Sequence, residues 1–230
     1  MGGQACIFYG AAEFSRDLDL LVLLDPGNLE RLQIALNDLY AELAAVPPLD
    51  VSYLKRGHAV HFRCGRKDVA GLRVDVMSAL RGLPTFDELW QRRTSIEVEG
   101  EVIDLLGLED LVEAKKTQRD KDWPMIRRLV EQSYFTASGN DSSERVVFWL
   151  KELRSAELLV EAARIYPSAA RMVAQFRPAV QAALAGDSSA VLDALETEEV
   201  EERRKDRDYW RPLKHELEEL RRMKRQQGPA

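Results

Sequence analysis

An Asp-Leu-Asp sequence ahead of an unbroken apolar run constrains this chain more than any other feature. Asp17 and Asp19 lead into residues 18–24, whose continuous apolar character predicts a strand buried on both faces. Residues two apart on a strand point to the same face, so the two carboxylates are expected to project together. Two like charges held that close repel each other unless a cation lies between them, and Mg²⁺ prefers carboxylate and phosphate oxygens. The pair therefore predicts phosphoryl-type transfer, and the open alternative is two solvated aspartates at a strand start.

Composition describes an ordinary globular chain of one large or two small domains. Of its 230 residues, 45% are hydrophobic and 31% are charged. The sequence has no apolar run of membrane-spanning length and no signal peptide, so we expect a cytoplasmic protein without a membrane partner. A net charge of −6 argues against wholesale binding of nucleic acid but leaves room for a local basic groove. The two cysteines are expected to be free thiols.

The order of the predicted elements indicates an α+β fold, with a mixed sheet, flanking helices and an all-helical C-terminal region. After the first strand, the pattern predicts a helix from about Asn28 to Ala45. Further strands are expected at Asp50–Leu54, Ala59–Phe62, Leu72–Met77, Ser95–Val98 and Val102–Leu105, the last two forming a hairpin. Helices are expected at Leu108–Asp120, Trp123–Tyr134, Glu144–Ile165, Ser168–Ala185, Ser188–Ala194 and about Glu198–Lys224.

Turn-forming residues and internal prolines refine this division. Ser138–Ser143 is the best linker candidate and predicts domains of residues 1–137 and 138–230. Pro178 and Pro212 fall inside predicted helices and are expected to kink or split them.

A third carboxylate suits the predicted metal site. Asp75 lies in the otherwise apolar strand Leu72–Met77, where an unpaired charge is costly. Taken alone, an aspartate paired with Arg73 is the simpler interpretation. Together with Asp17 and Asp19, a metal site becomes the better hypothesis.

These motifs resemble the nucleotidyltransferase superfamily. The resemblance covers about residues 2–135 and lies in Gly2-Gly3-Gln4-Ala5, in Ser15 two residues before Asp17-Leu18-Asp19, and in Asp75 on a later strand. It implies that three carboxylates hold Mg²⁺ or Mn²⁺ and that Gly2, Gly3 and Ser15 bind the phosphates of a nucleoside triphosphate. Family members often carry Arg at the position of Glu13. The resemblance implies that Arg16, three residues later, takes the place of that arginine.

A narrower resemblance concerns residues 108–122. This segment is similar to the closing helix of minimal nucleotidyltransferases, including abortive-infection toxin enzymes, which carries Lys, then Arg, then Lys-Asp. The resemblance implies that Lys115 faces the nucleotide phosphates, and that Arg119 and Asp122 support the site. Their i, i+4, i+7 spacing predicts one helix face. The alternative is a solvated helix face whose charges pair with one another.

The sequence therefore predicts an enzyme that transfers a nucleoside monophosphate to an acceptor hydroxyl of a transfer RNA, a protein or a small molecule. The resemblance favours the toxin of a toxin–antitoxin or phage-defence system, with an antitoxin protein as partner. An alternative is a non-catalytic module of the same fold that binds nucleotide or a partner; its main support is that only Met1 precedes the Gly-Gly turn, where the family has a strand. A drug-resistance adenylyltransferase is a third, less favoured option.

Two other patterns point to structural roles. His58, His61 and Cys64 suggest zinc ligands, but residues three apart on a strand face opposite ways and no fourth ligand follows at a usual spacing. We expect a structural role there, with His58 or His61 near a substrate cleft. The basic residues of the C-terminal helix are nearly balanced by acidic ones, so a solvated or partner-binding helix is expected, with contact to an RNA backbone as the minor alternative.

Overall fold

The computed structural model describes residues 1–137 and 141–226. The strands are β1 (Asp17–Leu21), β2 (Glu42–Leu43), β3 (Val60–Arg63), β4 (Arg73–Met77), β5 (Thr94–Val98) and β6 (Glu101–Leu105). The helices are α1 (Gly2–Phe8), α2 (Pro26–Asp38), α3 (Val51–Lys55), α4 (Phe86–Gln91), α5 (Leu108–Ala114), α6 (Asp122–Thr136), α7 (Ser143–Glu152), α8 (Ala156–Ile165), α9 (Pro167–Val173), α10 (Pro178–Leu184) and α11 (Ser188–Gln226). Within the described ranges, no helix combines the length and the apolar character that a membrane crossing needs.

The chain forms two compact units. The first contains residues 1–8, 12–114 and 208–226, and the second contains residues 9–11, 115–137 and 141–207. The sequence predicted two domains, residues 1–137 and 138–230, that fold separately. Whether they do so stays a prediction. Of its predicted linker, residues 138–140 lie outside the described residues.

The first unit is built on a mixed four-stranded sheet, as the predicted α+β class requires. Its strand order is β1-β4-β3-β2, with β1 and β4 parallel and the other neighbours antiparallel. Strands β5 and β6 form the predicted antiparallel hairpin as a separate two-stranded sheet. The central strand β4 thus has β1 on one side and β3 on the other.

One face of the four-stranded sheet is apolar and forms the core. Alternate residues of β4 and β3 point to this face and are almost completely buried. Leu36 of α2 packs against them, together with Leu29 and Leu32 of the same helix. The buried members of this core are Val22, Leu36, Leu54, Val60, Phe62, Cys64, Val74 and Val76. Side chains at the alternating positions between them therefore lie on the opposite face of the sheet.

Strand β1 departs from the prediction in length and burial. It ends at Leu21 instead of Leu24, and Leu23 beyond it is 38% exposed. Its partner β4 ends at Met77, opposite Leu21, so the pairing that defines the strand stops there. An apolar run in the sequence therefore did not mean a strand covered on both faces.

Two further elements of the first unit differ from the prediction because local polar groups decide them. The predicted strand Asp50–Leu54 is helix α3, whose first turn is capped by Asp50 Oδ1 accepting from Ser52 N at 2.7 Å. Helix α2 ends at Asp38 instead of about Ala45. Tyr40 then adopts a positive φ of 48°, and the chain turns into β2.

The second unit is helical, and the helix predicted at Glu144–Ile165 is divided in two. Helix α7 ends at Glu152 and α8 begins at Ala156. The buried guanidinium of Arg177 donates to the carbonyl oxygens of Leu150 and Leu153 at 2.6 and 3.0 Å, which satisfies acceptors that a helix end leaves open. Glu198 balances the charge of Arg177 at 3.0 Å.

The prolines act differently in the two places where a kink or split was predicted. Helix α9 ends at Val173 and α10 begins at Pro178, so the split is confirmed there. By contrast, α11 is continuous from Ser188 to Gln226 through Pro212, which joins the two helices predicted at Ser188–Ala194 and Glu198–Lys224.

Four basic residues of α11 pair with acidic residues one turn away. Such ion pairs are Arg203–Glu199, Arg204–Glu201, Lys205–Glu202 and Arg211–Asp208. The balance of charges therefore agrees with the prediction, but α11 is not solvated all round, because Val191, Asp206 and Leu213 are buried.

Replacing Leu36 tests how much the apolar core of the first unit contributes to the free energy of unfolding. Leu36 is 2% exposed, so Leu36→Ala is expected to lower the free energy of unfolding by about 2–4 kcal/mol. Ile34 on the same helix is 55% exposed, and Ile34→Ala is expected to change it by about 0.5 kcal/mol or less. Urea denaturation of the two variants measures the difference; equal losses would contradict the assigned core.

Candidate functional site

Charged side chains cover the sheet face opposite the core, in two rows that cross three strands. In one row, Asp19 of β1, Asp75 of β4 and His61 of β3 are in register. In the next row the aligned residues are Asp17, Arg73 and Arg63. The residues between them in sequence point to the core, so both rows lie on the same side. The structure thus brings the three predicted carboxylates to adjacent strands on one face.

Asp75 lies at the centre of this charged face and is 3% exposed. His61 Nδ1 lies 2.8 Å from Asp75 Oδ1. Arg73 Nε donates to Oδ1 at 2.9 Å, and a terminal nitrogen of the same guanidinium donates to Oδ2 at 2.5 Å. Burial acts to raise the pKa of Asp75, but the hydrogen bonds and charges of His61 and Arg73 outweigh it and lower the pKa. Asp75 is therefore held as a carboxylate.

Arg73 also faces the second acid of its row. Its terminal nitrogen lies 3.8 Å from Asp17 Oδ2, so one guanidinium lies near carboxylates of two strands. The simpler of the two predictions for Asp75, a pair with Arg73, is confirmed as a contact. Its role as a metal ligand stays a prediction.

The donor chemistry of this face suits a hard divalent cation, since Asp17, Asp19 and Asp75 all offer carboxylate oxygens. The arrangement suits it less well. Among residues 1–137 and 141–226, no group of three or more His, Cys, Asp or Glu side chains is placed to hold a metal ion. The two oxygens of Asp75 are instead contacted by Arg73 and His61.

The predicted phosphate-binding glycines begin helix α1 and lie against this face. A Cβ added to Gly2 would come within 1.8 Å of Asp19 Oδ2, and one added to Gly3 within 2.4 Å of Ser15 Oγ. Gly2 also has a φ of +68°. Only residues without side chains allow the backbone this close to Asp19 and Ser15. The structure therefore brings Gly2, Gly3 and Ser15 to the predicted acidic pair.

Ser15 and Arg16 complete the segment that enters β1. The Ser15 hydroxyl donates to the carbonyl oxygen of Asp17 at 3.1 Å, which fixes the turn into the strand. Arg16 is exposed, and its guanidinium lies 5.9 Å from the ring centroid of Phe14. Binding of phosphate by either residue stays a prediction.

The prediction that Lys115, Arg119 and Asp122 lie on one face of a single helix is wrong. Helix α5 ends at Ala114, six residues before the predicted end at Asp120, and α6 begins at Asp122. Lys115 and Arg119 therefore lie in the connection between two helices. They still meet, because Asp122 Oδ1 lies 3.4 Å from Lys115 Nζ and Asp122 Oδ2 accepts from Arg119 Nε at 2.7 Å.

Side chains from elsewhere in the second unit explain why the helix stops. Trp123 Nε1 donates to the carbonyl oxygen of Thr117 at 2.9 Å. The backbone N–H of Gln118 donates to Asp206 at 2.9 Å, and Arg203 donates to the Gln118 carbonyl at 2.9 Å. These bonds replace the helical ones, so the connection is stable without a helix.

Asp122 is the centre of this second cluster and is 2% exposed. It also accepts from the Thr117 hydroxyl at 2.5 Å. Burial acts to raise its pKa, but the charge of Lys115 and the bonds from Thr117 and Arg119 lower it below the ordinary 3.8. The charges pair with one another, as the alternative expected, but they do so at a buried carboxylate and not on a solvated helix face. A contact of Lys115 with nucleotide phosphates stays a prediction.

His61 belongs to the charged face, but the sequence did not predict its contact with Asp75. The alternation Val60, His61, Phe62 placed it opposite the core, but its place beside Asp75 depends on which strands pair. His58, by contrast, is 1% exposed and bonds Glu216 at 2.7 Å, which agrees with a structural role.

No protein-family model and no curated protein matches this sequence. Among solved structures, the chain is similar to a crystal structure described as "putative nucleotidyltransferase from H. pylori". The sequences are 17% identical, and the alignment covers 84% of this chain and 85% of that one, with a TM-score of 0.35. A TM-score this low does not establish a common fold.

Replacing Gly2 tests its close approach to Asp19. Gly2→Ala is expected to displace α1 or the Asp19 side chain, because the added Cβ overlaps the carboxylate at a positive φ. Hydrogen–deuterium exchange of the α1 amides is then expected to be faster than in the unsubstituted protein. Gly100→Ala is the matched control, since Gly100 also has a positive φ but no atom within 4 Å of the added Cβ. Equal exchange in α1 of both variants would contradict the assigned contact.

Replacing Asp122 tests its role in the second unit. Asp122→Asn leaves Lys115 and Arg119 without their carboxylate and is expected to lower the free energy of unfolding by about 2 kcal/mol at pH 6. Because the folded pKa is lowered, the carboxylate stabilises fully above 3.8, and this contribution is lost as the pH falls through the folded pKa.

Urea denaturation at pH 6 and near pH 3 checks the expectation for Asp122. The difference between Asp122→Asn and the unsubstituted protein is expected to shrink at the lower pH. Asp120→Asn is the control, because the Asp120 side chain is 98% exposed and its loss is expected to change little. A deficit in Asp122→Asn that does not depend on pH would contradict the ionised state.

Proposed function

We propose that this chain is a metal-dependent nucleotidyltransferase that transfers a nucleoside monophosphate from a nucleoside triphosphate to an acceptor hydroxyl. The observation that carries the proposal is the register of β1 and β4, which aligns Asp19 with Asp75 and places Asp17 on the same face. The absence of side chains at Gly2 and Gly3 lets the backbone of α1 approach Asp19 and Ser15 closely, which brings its first residues to the same acids.

Asp17 and Asp19 are the proposed ligands of Mg²⁺ or Mn²⁺, and Asp75 joins them in the reacting state. The ion, when bound, supplies positive charge that neutralises the triphosphate. The Gly2 and Gly3 amides, with Ser15 and Arg16, are proposed to hold the β- and γ-phosphates.

In the proposed reaction one bond to the α-phosphorus forms as another breaks. The acceptor oxygen forms a bond to the α-phosphorus while the bond between that phosphorus and the β-phosphate oxygen breaks, releasing pyrophosphate. Asp75 orients the acceptor hydroxyl and helps remove its proton. Lys115 neutralises charge on the leaving pyrophosphate, and Arg119 and Asp122 position Lys115.

The acceptor and the biological setting belong to the same proposal. A transfer RNA end, a protein hydroxyl and a small molecule are the three acceptor classes. The resemblance of residues 108–122 to minimal nucleotidyltransferases favours the toxin of a toxin–antitoxin or phage-defence pair, acting in the cytoplasm and bound by an antitoxin protein.

A specific observation favours a second candidate, a non-catalytic module that binds nucleotide or a partner. Both oxygens of Asp75 are engaged by Arg73 and His61, so the third carboxylate is not open in this structure. Calorimetry with Mg²⁺ and a nucleoside triphosphate separates the two candidates. Binding without turnover supports the module, and turnover supports the enzyme.

Transfer of label from nucleotides tests the enzymatic function. Incubation with Mg²⁺, each labelled nucleoside triphosphate and cell RNA or extract is expected to label one acceptor class. Asp17→Asn and Asp19→Asn are each expected to reduce the rate about a hundredfold or more, because each removes a proposed metal ligand. Asp38→Asn, at an exposed aspartate of the same unit, is the matched control and is expected to keep the rate. No transfer by the unsubstituted chain, or equal transfer by Asp17→Asn and Asp38→Asn, would refute the enzyme.

A further inference from the structure

We infer that Arg73 is the resident counter-ion of the charged sheet face, and that a divalent cation has to displace it in order to bind Asp75. This inference deepens the proposed function and rests on it. It assigns to Arg73 the role of a positioning residue that sets how tightly the metal is held.

The first argument is the occupancy of the Asp75 oxygens. Oδ1 is contacted by His61 Nδ1 at 2.8 Å and by Arg73 Nε at 2.9 Å. Oδ2 accepts from Arg73 twice, at 3.1 and 2.5 Å. The single hydrogen of Arg73 Nε is shared by the two oxygens, so three nitrogens contact the carboxylate. A carboxylate offers about four lone-pair directions, so these contacts engage both oxygens and reduce the capacity left for a metal ion. The side chain of Asp75 is also 4% exposed, so no solvent side is open for an ion to approach instead.

The second argument is the position of the Arg73 charge. Its terminal nitrogen is 2.5 Å from Asp75 and 3.8 Å from Asp17, so the guanidinium lies between acids of β1 and β4. Two carboxylates on neighbouring strands require a cation between them, and Arg73 supplies one. A metal ion bound to the same two carboxylates would meet the guanidinium charge at short range.

The third argument is that Arg73 is able to leave. Its side chain is 42% exposed, so the guanidinium can move into water without being desolvated. His61 would keep its bond to Oδ1 during this change, because it comes from the other neighbouring strand. Release of Arg73 therefore opens Oδ2 of Asp75 while the carboxylate stays in place.

Binding of Mn²⁺ alone tests the inference without reference to turnover. The free Mn²⁺ signal in electron paramagnetic resonance gives the dissociation constant for the full chain and its variants. Arg73→Gln removes the competing charge and is expected to tighten Mn²⁺ binding about tenfold. Arg73→Lys keeps the charge but not the planar donor fork, so a smaller gain of about threefold is expected.

Arg63→Gln is the matched control. Arg63 is in register with Arg73 on the same sheet face, and it donates to the Gly71 carbonyl oxygen. Its removal takes the same charge from the same face without freeing Asp75. The change in Mn²⁺ affinity is expected to be about twofold or less. Circular dichroism and thermal melting establish whether each variant is folded. If Arg73→Gln does not fold, the comparison is made with Arg73→Lys.

The possible results separate this inference from the proposed function. Tighter binding in the Arg73 variants than in Arg63→Gln supports it. If the unsubstituted chain binds Mn²⁺, Asp17→Asn abolishes this binding and the Arg73 variants behave like Arg63→Gln, the inference is overturned while the metal-dependent function stands. If neither the unsubstituted chain nor any Arg73 variant binds Mn²⁺, both are overturned.

Discussion

The parallel pairing of β1 with β4 is the constraint on which the rest of the candidate site depends. It sets Asp19 beside Asp75 and Asp17 beside Arg73, while the intervening residues close the core on the other face. A shift of one residue would turn the charged set into the core and the apolar set outward, so burial of Val74 and Val76 fixes the position of the charges. The same apolar packing that stabilises the unit therefore positions its acids.

Buried carboxylates in both units keep their charge in the same physical way. Asp75 has Arg73 and His61, Asp122 has Lys115 and Arg119, and in each case burial opposes ionisation while the partners outweigh it. A structural ion pair and a functional acidic site use the same contacts. Each cluster has one exposed guanidinium, Arg73 at Asp75 and Arg119 at Asp122. They differ in the second cation, since the Lys115 side chain is only 11% exposed and stays beside Asp122.

Much of the architecture could be predicted because it follows from local chemistry. The strands β3 and β4, the hairpin of β5 and β6, and helix α6 all follow from the pattern of neighbouring residues. The errors arose where distant groups decide. Arg177 ends α7 through the carbonyls of Leu150 and Leu153, and Asp206 takes the N–H of Gln118 that a longer α5 would have used.

The sequence by itself determined which side chains share a face, since the two-residue period of a strand places Asp17 with Asp19 and Arg73 with Asp75. That a side chain at Gly2 or Gly3 would collide with Asp19 or Ser15 is visible only in the structure. Only the tertiary structure decided that Arg73 and His61 occupy Asp75, and that Lys115 and Arg119 meet at Asp122 without a shared helix. The physical reason is that strand register and side-chain bonds to backbone join residues far apart in sequence, and local periodicity carries no information about them.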